Sequence, residues 1–115
     1  MAFSELEQRR VERAVSAYVE EKRPAPPIRP SLDIGFRVEG QSVEIFEIRP
    51  YWRDESQIME QSIAKATYVK TRNSWKIFWK RADLKWHVYE PQARVWSIED
   101  FLKVVDDDHY GCFWG

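Results

Sequence analysis

The sequence has little of several features that mark specialised classes of protein. Cys112 is the only cysteine among 115 residues, which excludes an internal disulfide and a cysteine-based metal cluster. No run approaches the roughly 18 apolar residues that a membrane-spanning helix needs, and the amino terminus has no apolar segment typical of a signal peptide. The net charge of −1 argues against a globally basic nucleic-acid-binding protein. We therefore expect a cytoplasmic protein with no membrane partner, folded as a single domain over residues 1–115.

Aromatic residues, in contrast, are abundant. Six Trp, six Phe and five Tyr are spread over the chain, and each ring can bury about 150–250 Å² on folding. A chain of this length can bury roughly two-thirds of the surface that its unfolded state exposes. The composition therefore predicts a self-sufficient, aromatic-rich core.

The strongest helix signal lies near the amino terminus, over residues 4–22. Ser4 and Glu7 have the spacing of a capping box, in which each side chain binds a backbone N–H group that the first turn leaves unpaired. Pro24 ends the helix, because the residue before a proline is disfavoured in the helical conformation. One apolar stripe recurs at helical spacing between them: Val11, Ala14, Val15 and Tyr18.

A second helix is predicted from Ser97 to about Asp107. Ser97 and Asp100 fit an N-terminal capping pattern, and Trp96 and Phe101 occupy the two positions of a hydrophobic staple. The staple predicts that these two rings pack together. Apolar residues after the helix are expected to pack back on the sheet: Tyr110, Phe113 and Trp114.

The centre of the predicted fold is a hairpin formed by residues 32–49. Apolar residues alternate with others on its first strand, and Gly40 with Gln41 provides a two-residue turn in which glycine supplies the positive φ. Glu47 then lies on the apolar face, which is an uncommon place for a carboxylate. The turn sets four facing pairs: Val38 with Val43, Phe36 with Ile45, Arg37 with Glu44, and Ile34 with Glu47.

The rest of the chain is expected to complete an antiparallel sheet. Residues 50–62 are predicted to form a loop that contains a short helical turn. A second hairpin, residues 63–81, turns at Asn73 and Ser74, and a third run of strand covers residues 84–89. The predicted fold class is therefore α+β, with an N-terminal helix, an antiparallel meander of about five strands and a short C-terminal helix.

Five blocks of the sequence match the pattern of a known family, and together they span nearly the whole chain. They are residues 5–19, 32–50, 64–71, 81–87 and 112–115, the last of which reads Cys-Phe-Trp-Gly. On these blocks the chain resembles a bacterial family, the domain-of-unknown-function family three-thousand-and-twenty-four. The resemblance implies a small, stand-alone bacterial domain. The family has no assigned activity, so the resemblance implies no catalytic residues.

The first candidate for function is the basic, aromatic segment of residues 63–89. It carries seven Lys or Arg residues against one acid, a local charge of +6, interleaved with six aromatic rings. Because basic side chains follow phosphates and rings stack on unpaired bases, this segment predicts a surface for nucleic acid or an acidic protein. The alternative is structural, since Trp75, Ile77 and Trp79 alternate as a buried strand face does. The predicted binding residues are Lys70, Arg72, Trp75, Lys76, Trp79, Lys80, Arg81, Lys85 and Trp86.

The second candidate is a catalytic arrangement of Asp33, Glu47 and Arg49. An aspartate, a short hairpin and then Glu-x-Lys are typical of Mg²⁺-dependent nucleases of the PD-(D/E)xK type, whose two carboxylates hold the metal. Here Leu32 replaces the proline and Arg49 replaces the lysine. Arginine stays protonated, so it could stabilise charge but could not easily act as a base. The alternative is again structural, with Glu47 paired to a cation such as Arg37 or Arg49.

The leading hypothesis is a non-enzymatic binding module that uses the basic aromatic face. The alternatives are a divergent nuclease, which would need Mg²⁺, and a homodimeric structural protein. No other cofactor is expected. One further cluster of acids and possible ligands lies near the C-terminus: Asp106, Asp107, Asp108, His109 and Cys112. We predict no metal site there, because the cluster lacks the ligand spacing of structural metal sites.

Overall fold

The computed structural model describes residues 3–115 of the chain. It confirms the α+β class, with a helix at each end of the chain and an antiparallel sheet between them. The helices are α1 (Glu5–Lys22) and α2 (Ile98–Asp107), and the strands are β1 (Asp33–Glu39), β2 (Ser42–Tyr51), β3 (Asp54–Val69), β4 (Ser74–Lys80), β5 (Trp86–Val88) and β6 (Arg94–Val95). No helix within residues 3–115 is long and apolar enough to cross a membrane.

The strands lie side by side in the order in which they follow one another along the chain. The sheet runs β1-β2-β3-β4-β5, and every neighbouring pair is antiparallel. The outer edge of β4 has two partners, because β5 pairs with residues 78–80 and β6 pairs with Trp75 and Lys76. The predicted meander of about five strands is therefore confirmed, with the two-residue β6 added to it.

The β1–β2 hairpin has the register that its turn predicts. Val38 faces Val43, and Phe36 faces Ile45. Gly40 has a φ of 58°, a left-handed conformation that glycine adopts without the steric cost of a Cβ atom. The short turn and the apolar alternation therefore agree, and together they fix which side chains face the core.

Residues 50–62, predicted as a loop, are mostly strand. β2 runs on to Tyr51 and β3 begins at Asp54, so the two strands continue beyond the region where β1 and β4 flank them. We call residues 49–60 the β2–β3 ribbon. The loop prediction was wrong because nearly every ribbon residue is exposed, so the segment lacks the apolar alternation that identifies a half-buried strand.

Both helices pack on one face of the sheet. The two predicted caps are formed, since the Ser4 hydroxyl accepts the N–H of Glu7 and the Ser97 hydroxyl accepts the N–H of Asp100. Full burial of one large aliphatic or aromatic side chain contributes about 1.5–3 kcal/mol, so this layer supplies most of the stabilisation. Its buried residues include Val11, Val15, Val19, Val43, Ile45, Ala64, Ala66, Trp75, Ile77, Phe101 and Val105.

Trp96 departs from the predicted hydrophobic staple. Phe101 is fully buried, whereas Trp96 is 70% exposed. The pairing of β6 with β4 gives the physical reason. Val95 occupies the inward position, at 2% exposure, and the next side chain along an extended segment points the other way. Trp96 is therefore directed towards solvent.

The C-terminal residues pack back on the protein through Phe113. Its ring is buried, with its centroid 4.9 Å from that of Tyr89. Asp108, which has a left-handed φ of 40°, accepts the backbone N–H groups of residues 113, 114 and 115 at 3.0, 2.8 and 3.2 Å. One carboxylate thus fixes the chain after α2, while Tyr110 stays exposed.

Candidate functional site

The face of the sheet that turns away from the helices carries a cluster of lysines and rings. Successive side chains of a strand point to opposite faces. The residues of β3 and β4 that alternate with the buried ones are therefore on this second face, and Trp86 of β5 lies opposite Lys80. We call Lys65, Lys76, Phe78, Lys80 and Trp86 the lysine–aromatic face.

Three ammonium groups surround the two rings of this face. The Nζ atom of Lys65 lies 4.9 Å from the ring centroid of Phe78 and 4.9 Å from that of Trp86. Lys76 Nζ lies 5.7 Å from the Phe78 centroid, and Lys80 Nζ lies 5.3 Å from the Trp86 centroid. All four distances are within about 6 Å, the range of cation–π attraction. Both rings are half-buried, so part of each meets solvent.

The three lysines have no ion-pair partner among residues 3–115. Glu44 faces Lys65 across β2 and β3, but its carboxylate lies 3.3 Å from the Nε atom of Arg37. Arg37 also pairs with Glu60, whose hydrogen bond raises the pKa of the Arg37 guanidinium, and it lies 4.4 Å over the ring of Phe46. Glu44 and Glu60 are therefore paired with Arg37, and neither forms an ion pair with the three lysines.

Three of the nine predicted binding residues lie on the lysine–aromatic face: Lys76, Lys80 and Trp86. Trp75 does not, because it is 5% exposed and belongs to the core under the helices. Trp79 packs against the same core, since it lies two residues from the buried Ile77 and on the same side of β4. The other four are exposed in the turns on either side of β4: Lys70, Arg72, Arg81 and Lys85.

Lys65 and Phe78 complete the face, although the sequence did not place either among the predicted binding residues. Phe78 alternates in phase with Lys76 and Lys80, so the period of two was a usable signal for it. Lys65 meets the rings because it directly faces Phe78 in the pairing of β3 with β4. No local sequence pattern around Lys65 predicts that contact, because it depends on the register in which β3 pairs with β4.

The register of the first hairpin separates the two carboxylates of the predicted nuclease site. Asp33 faces Ile48, whereas Glu47 faces Ile34. Facing residues share one side of a sheet and adjacent residues take opposite sides, so Asp33 and Glu47 leave the hairpin on different faces. Within residues 3–115, no group of three or more His, Cys, Asp or Glu side chains is arranged to hold a metal ion.

Each of these carboxylates is instead bound by its own arginine. Arg23 Nε and Nη2 donate to the two carboxylate oxygens of Asp33, both at 2.8 Å, and these hydrogen bonds lower the pKa of Asp33. Arg49 Nη2 donates to Glu47 at 2.9 Å. The cation beside Glu47, which explains a carboxylate on an apolar face, is therefore Arg49.

The acidic C-terminal cluster is also tied into the fold. Asp106 forms an ion pair with Lys22 and accepts a hydrogen bond from the hydroxyl of Tyr18 at 3.3 Å. Burial, followed by the charge of Asp106, raises the pKa of the Tyr18 hydroxyl. Asp108 binds the backbone of the C-terminal residues. These carboxylates therefore serve contacts between α1, α2 and the chain end.

Comparison with known families adds one finding to this geometry. The family described as Domain of unknown function (DUF3024) matches residues 3–115. The chain belongs to this family. The resemblance that the five sequence blocks indicate is thereby confirmed over all but the first two residues of the chain. Comparison with the curated proteins and with the solved structures found no match.

Proposed function

We propose that the protein is a non-enzymatic module that binds single-stranded nucleic acid through the lysine–aromatic face. The observation that carries this proposal is the placement of three lysines, with no carboxylate partner in residues 3–115, around two half-buried rings. Phosphates require cations, and unpaired bases offer flat faces for stacking on rings. In a duplex the base faces are already stacked, so partly exposed protein rings favour a single strand.

The lysines now occupy positions near the ring faces that a base would need, so the two interactions compete. A cation–π contact at an exposed site contributes about 0.5–1 kcal/mol, while stacking of one base on an aromatic side chain contributes about 1–3 kcal/mol. Each ring has two such contacts, together about 1–2 kcal/mol, so the stacking of one base is comparable to or stronger than the contacts that it displaces. A phosphate also draws the flexible ammonium group towards itself, so displacement from the ring gives the lysine a new partner.

An acidic protein is the other partner class that the charge would suit. Its carboxylates would bind the lysines but would gain little from Phe78 and Trp86. The rings therefore favour nucleic acid, and they also provide the discriminating experiment. Replacement of a ring should weaken the binding of a single strand and leave the binding of a purely acidic peptide nearly unchanged.

The test is the binding of a fluorescent oligothymidylate at low salt, measured by anisotropy. Lys65, Lys76 and Lys80 are replaced together by Gln. The matched control replaces Arg13, Arg53 and Lys103, three exposed cations in α1, the β2–β3 ribbon and α2, which changes the net charge equally. In a third variant Trp86 is replaced by Leu.

We expect the triple lysine variant to bind far more weakly and to lose about 2 from the slope of log affinity against log salt, since each single-strand phosphate contact contributes about 0.7. Trp86→Leu should weaken binding by about five- to 150-fold, the equivalent of one stacked base. The control triple variant should bind nearly as the natural chain does. Absence of binding at low salt, or equal losses in both triple variants, would refute the proposal.

Self-association is a second candidate, and the β2–β3 ribbon favours it. Trp52 and Ile58 are 72% and 71% exposed on this ribbon, and β3 has no second neighbour before Ala64 among residues 3–115. An exposed strand edge beside large apolar side chains is a typical site for pairing with another chain. Light scattering at increasing protein concentration tests this: a dimer mass that reverts to the monomer mass in Trp52→Ser would support it, and a constant monomer mass would exclude it.

A further inference from the structure

A second group of cations lines a cleft at the end of β4, beside β6. The cleft has a volume of about 540 Å³, and its lining includes Arg72, Ser74, Lys76, Arg94 and Trp96. This volume is within the range of about 300–1,000 Å³ that small-molecule sites occupy. Lys76 is the one residue that the cleft shares with the lysine–aromatic face.

Without a bound ligand, the positive charges of this cleft repel one another. Lys76 and Arg94 face each other directly in the pairing of β4 with β6. Like charges at such positions destabilise a sheet. Arg72 adds a third cation, and none of the three has an ion-pair partner within the described chain from residue 3 onwards. A bound anion would turn this repulsion into a stabilising contact.

Two further side chains of the lining indicate which other chemical groups the ligand has besides its anionic group. Ser74 is 1% exposed, and its hydroxyl is buried without a hydrogen-bond partner among the described residues. Trp96 is 70% exposed at the rim, where it was expected to be buried against α2. A large ring held out beside a cluster of cations suits a ligand that combines an anion with a flat aromatic group.

We propose that this cleft binds a nucleoside phosphate, with the phosphate held by Arg72, Lys76 and Arg94 and the base stacked on Trp96. The ligand is either a free mononucleotide or the phosphorylated end of a strand, because both present the same phosphate and base. The site is separate from the lysine–aromatic face except for Lys76. Either site can therefore fail its test while the other passes.

The test is a titration with adenosine monophosphate, followed through the six tryptophan indole N–H signals in two-dimensional NMR spectra. The signal of Trp96 is assigned from a Trp96→Phe variant. We expect adenosine monophosphate to move the Trp96 signal and leave that of Trp86 in place. Adenosine should bind at least about tenfold more weakly, because it lacks the charged group that the cations bind.

Arg94→Gln should weaken the binding of adenosine monophosphate about tenfold or more, while the exposed control Lys103→Gln should not change it. Ser74→Ala should weaken binding, because it removes a hydroxyl that could donate to the ligand. It should not lower the melting temperature, since that hydroxyl has no partner to lose among residues 3–115. A phosphorylated oligonucleotide that moves the Trp96 signal at lower concentration than both adenosine monophosphate and the same oligonucleotide without its terminal phosphate would identify the strand end as the source. A Trp96 signal that responds equally to the phosphorylated oligonucleotide and to adenosine monophosphate would identify the free nucleotide. Equal affinity for adenosine and its phosphate, equal affinity for inorganic phosphate, or a Trp96 signal that does not move would each overturn the proposal.

Discussion

The contact between Arg23 and Asp33 gives the sharpest prediction about the role of a suspected catalytic residue. Arg23 caps the end of α1 and Asp33 begins β1, so this ion pair joins the helix to the sheet. Two N–H groups of the guanidinium donate to the carboxylate, and the carboxylate also accepts the N–H of Ile34 at 2.8 Å. The Asp33 side chain is 18% exposed and the Arg23 side chain is 26% exposed. Asp33 is therefore occupied by structural contacts.

The burial of this pair sets the expected magnitude. Exposed ion pairs contribute about 0.2–1 kcal/mol, and removal of one partner of a fully buried pair costs about 3–5 kcal/mol. A bidentate pair with partly exposed side chains lies between these limits. We expect Asp33→Asn to lower the free energy of unfolding by about 1–2 kcal/mol, which for a chain of this size lowers Tm by about 4–8 °C.

The assay is a double-mutant cycle followed by urea unfolding and tryptophan fluorescence. Arg23→Gln, Asp33→Asn and the double variant separate the pair from the other contacts of each residue, and the coupling energy should be about 1 kcal/mol. The pH dependence follows from the lowered pKa of Asp33. The unfolded state then binds the proton more readily, so the contribution is complete above about pH 4 and is lost as the pH falls through the folded pKa.

Unchanged stability of Asp33→Asn would indicate a different role for this carboxylate. Carboxylates that serve a metal site often destabilise the fold, so their replacement tends to leave stability unchanged or to raise it. If Asp33→Asn were as stable as the natural chain, and if calorimetry showed Mg²⁺ uptake that the variant lacks, then Asp33 would be a metal ligand. The structural interpretation of Asp33 would then be wrong.

Three further substitutions test other parts of the fold. Gly40→Ala should lower the free energy of unfolding by about 1 kcal/mol, because Gly40 has a φ of 58°; urea unfolding measures it, and an unchanged midpoint would contradict the left-handed turn. Asp108→Ala removes the acceptor of three backbone N–H groups, so hydrogen exchange at those C-terminal amides should accelerate while exchange in β2 stays slow. Phe101→Ala should cost about 3–5 kcal/mol and Trp52→Ser less than about 0.5 kcal/mol, since one ring is fully buried and the other is 72% exposed. Similar losses in that last pair of variants would contradict the assignment of the core.

The parts of the fold that the sequence predicts well are those with strong local signals. Ser4 with Glu7 and Ser97 with Asp100 mark the helix starts, because capping depends on residues only three positions apart. The β1–β2 register follows from the Gly40 turn together with apolar alternation on both strands. In each case the deciding interactions lie close together along the chain.

The parts that it predicts poorly depend on contacts distant in sequence or on exposure. The β2–β3 ribbon was missed since a two-stranded segment exposed on both faces has no apolar period. A turn at Asn73 and Ser74 would place Arg72 opposite Trp75, whereas the 3₁₀ turn Lys70–Arg72 makes Val69 the partner of Ser74. That shift brings Lys65 opposite Phe78.

The candidate site shows the same division between local and tertiary information. Alternation along β4 could separate Trp75, on the core side, from Lys76 and Phe78 on the other side. The contribution of Trp86 could not be read in this way, because β5 has only three residues and its face is set by its pairing with β4. Composition therefore indicated a basic aromatic surface, and strand pairing determined which of its residues meet.

The most direct measurement of the proposed function is an NMR titration with oligothymidylate, following the backbone amide signals along the chain. Binding through the lysine–aromatic face predicts saturable shifts centred on Lys65, Lys76, Phe78 and Trp86, and these should vanish in the triple lysine variant. Saturable shifts confined to the β2–β3 ribbon or to the helices, or no saturable shift at low salt, would contradict it.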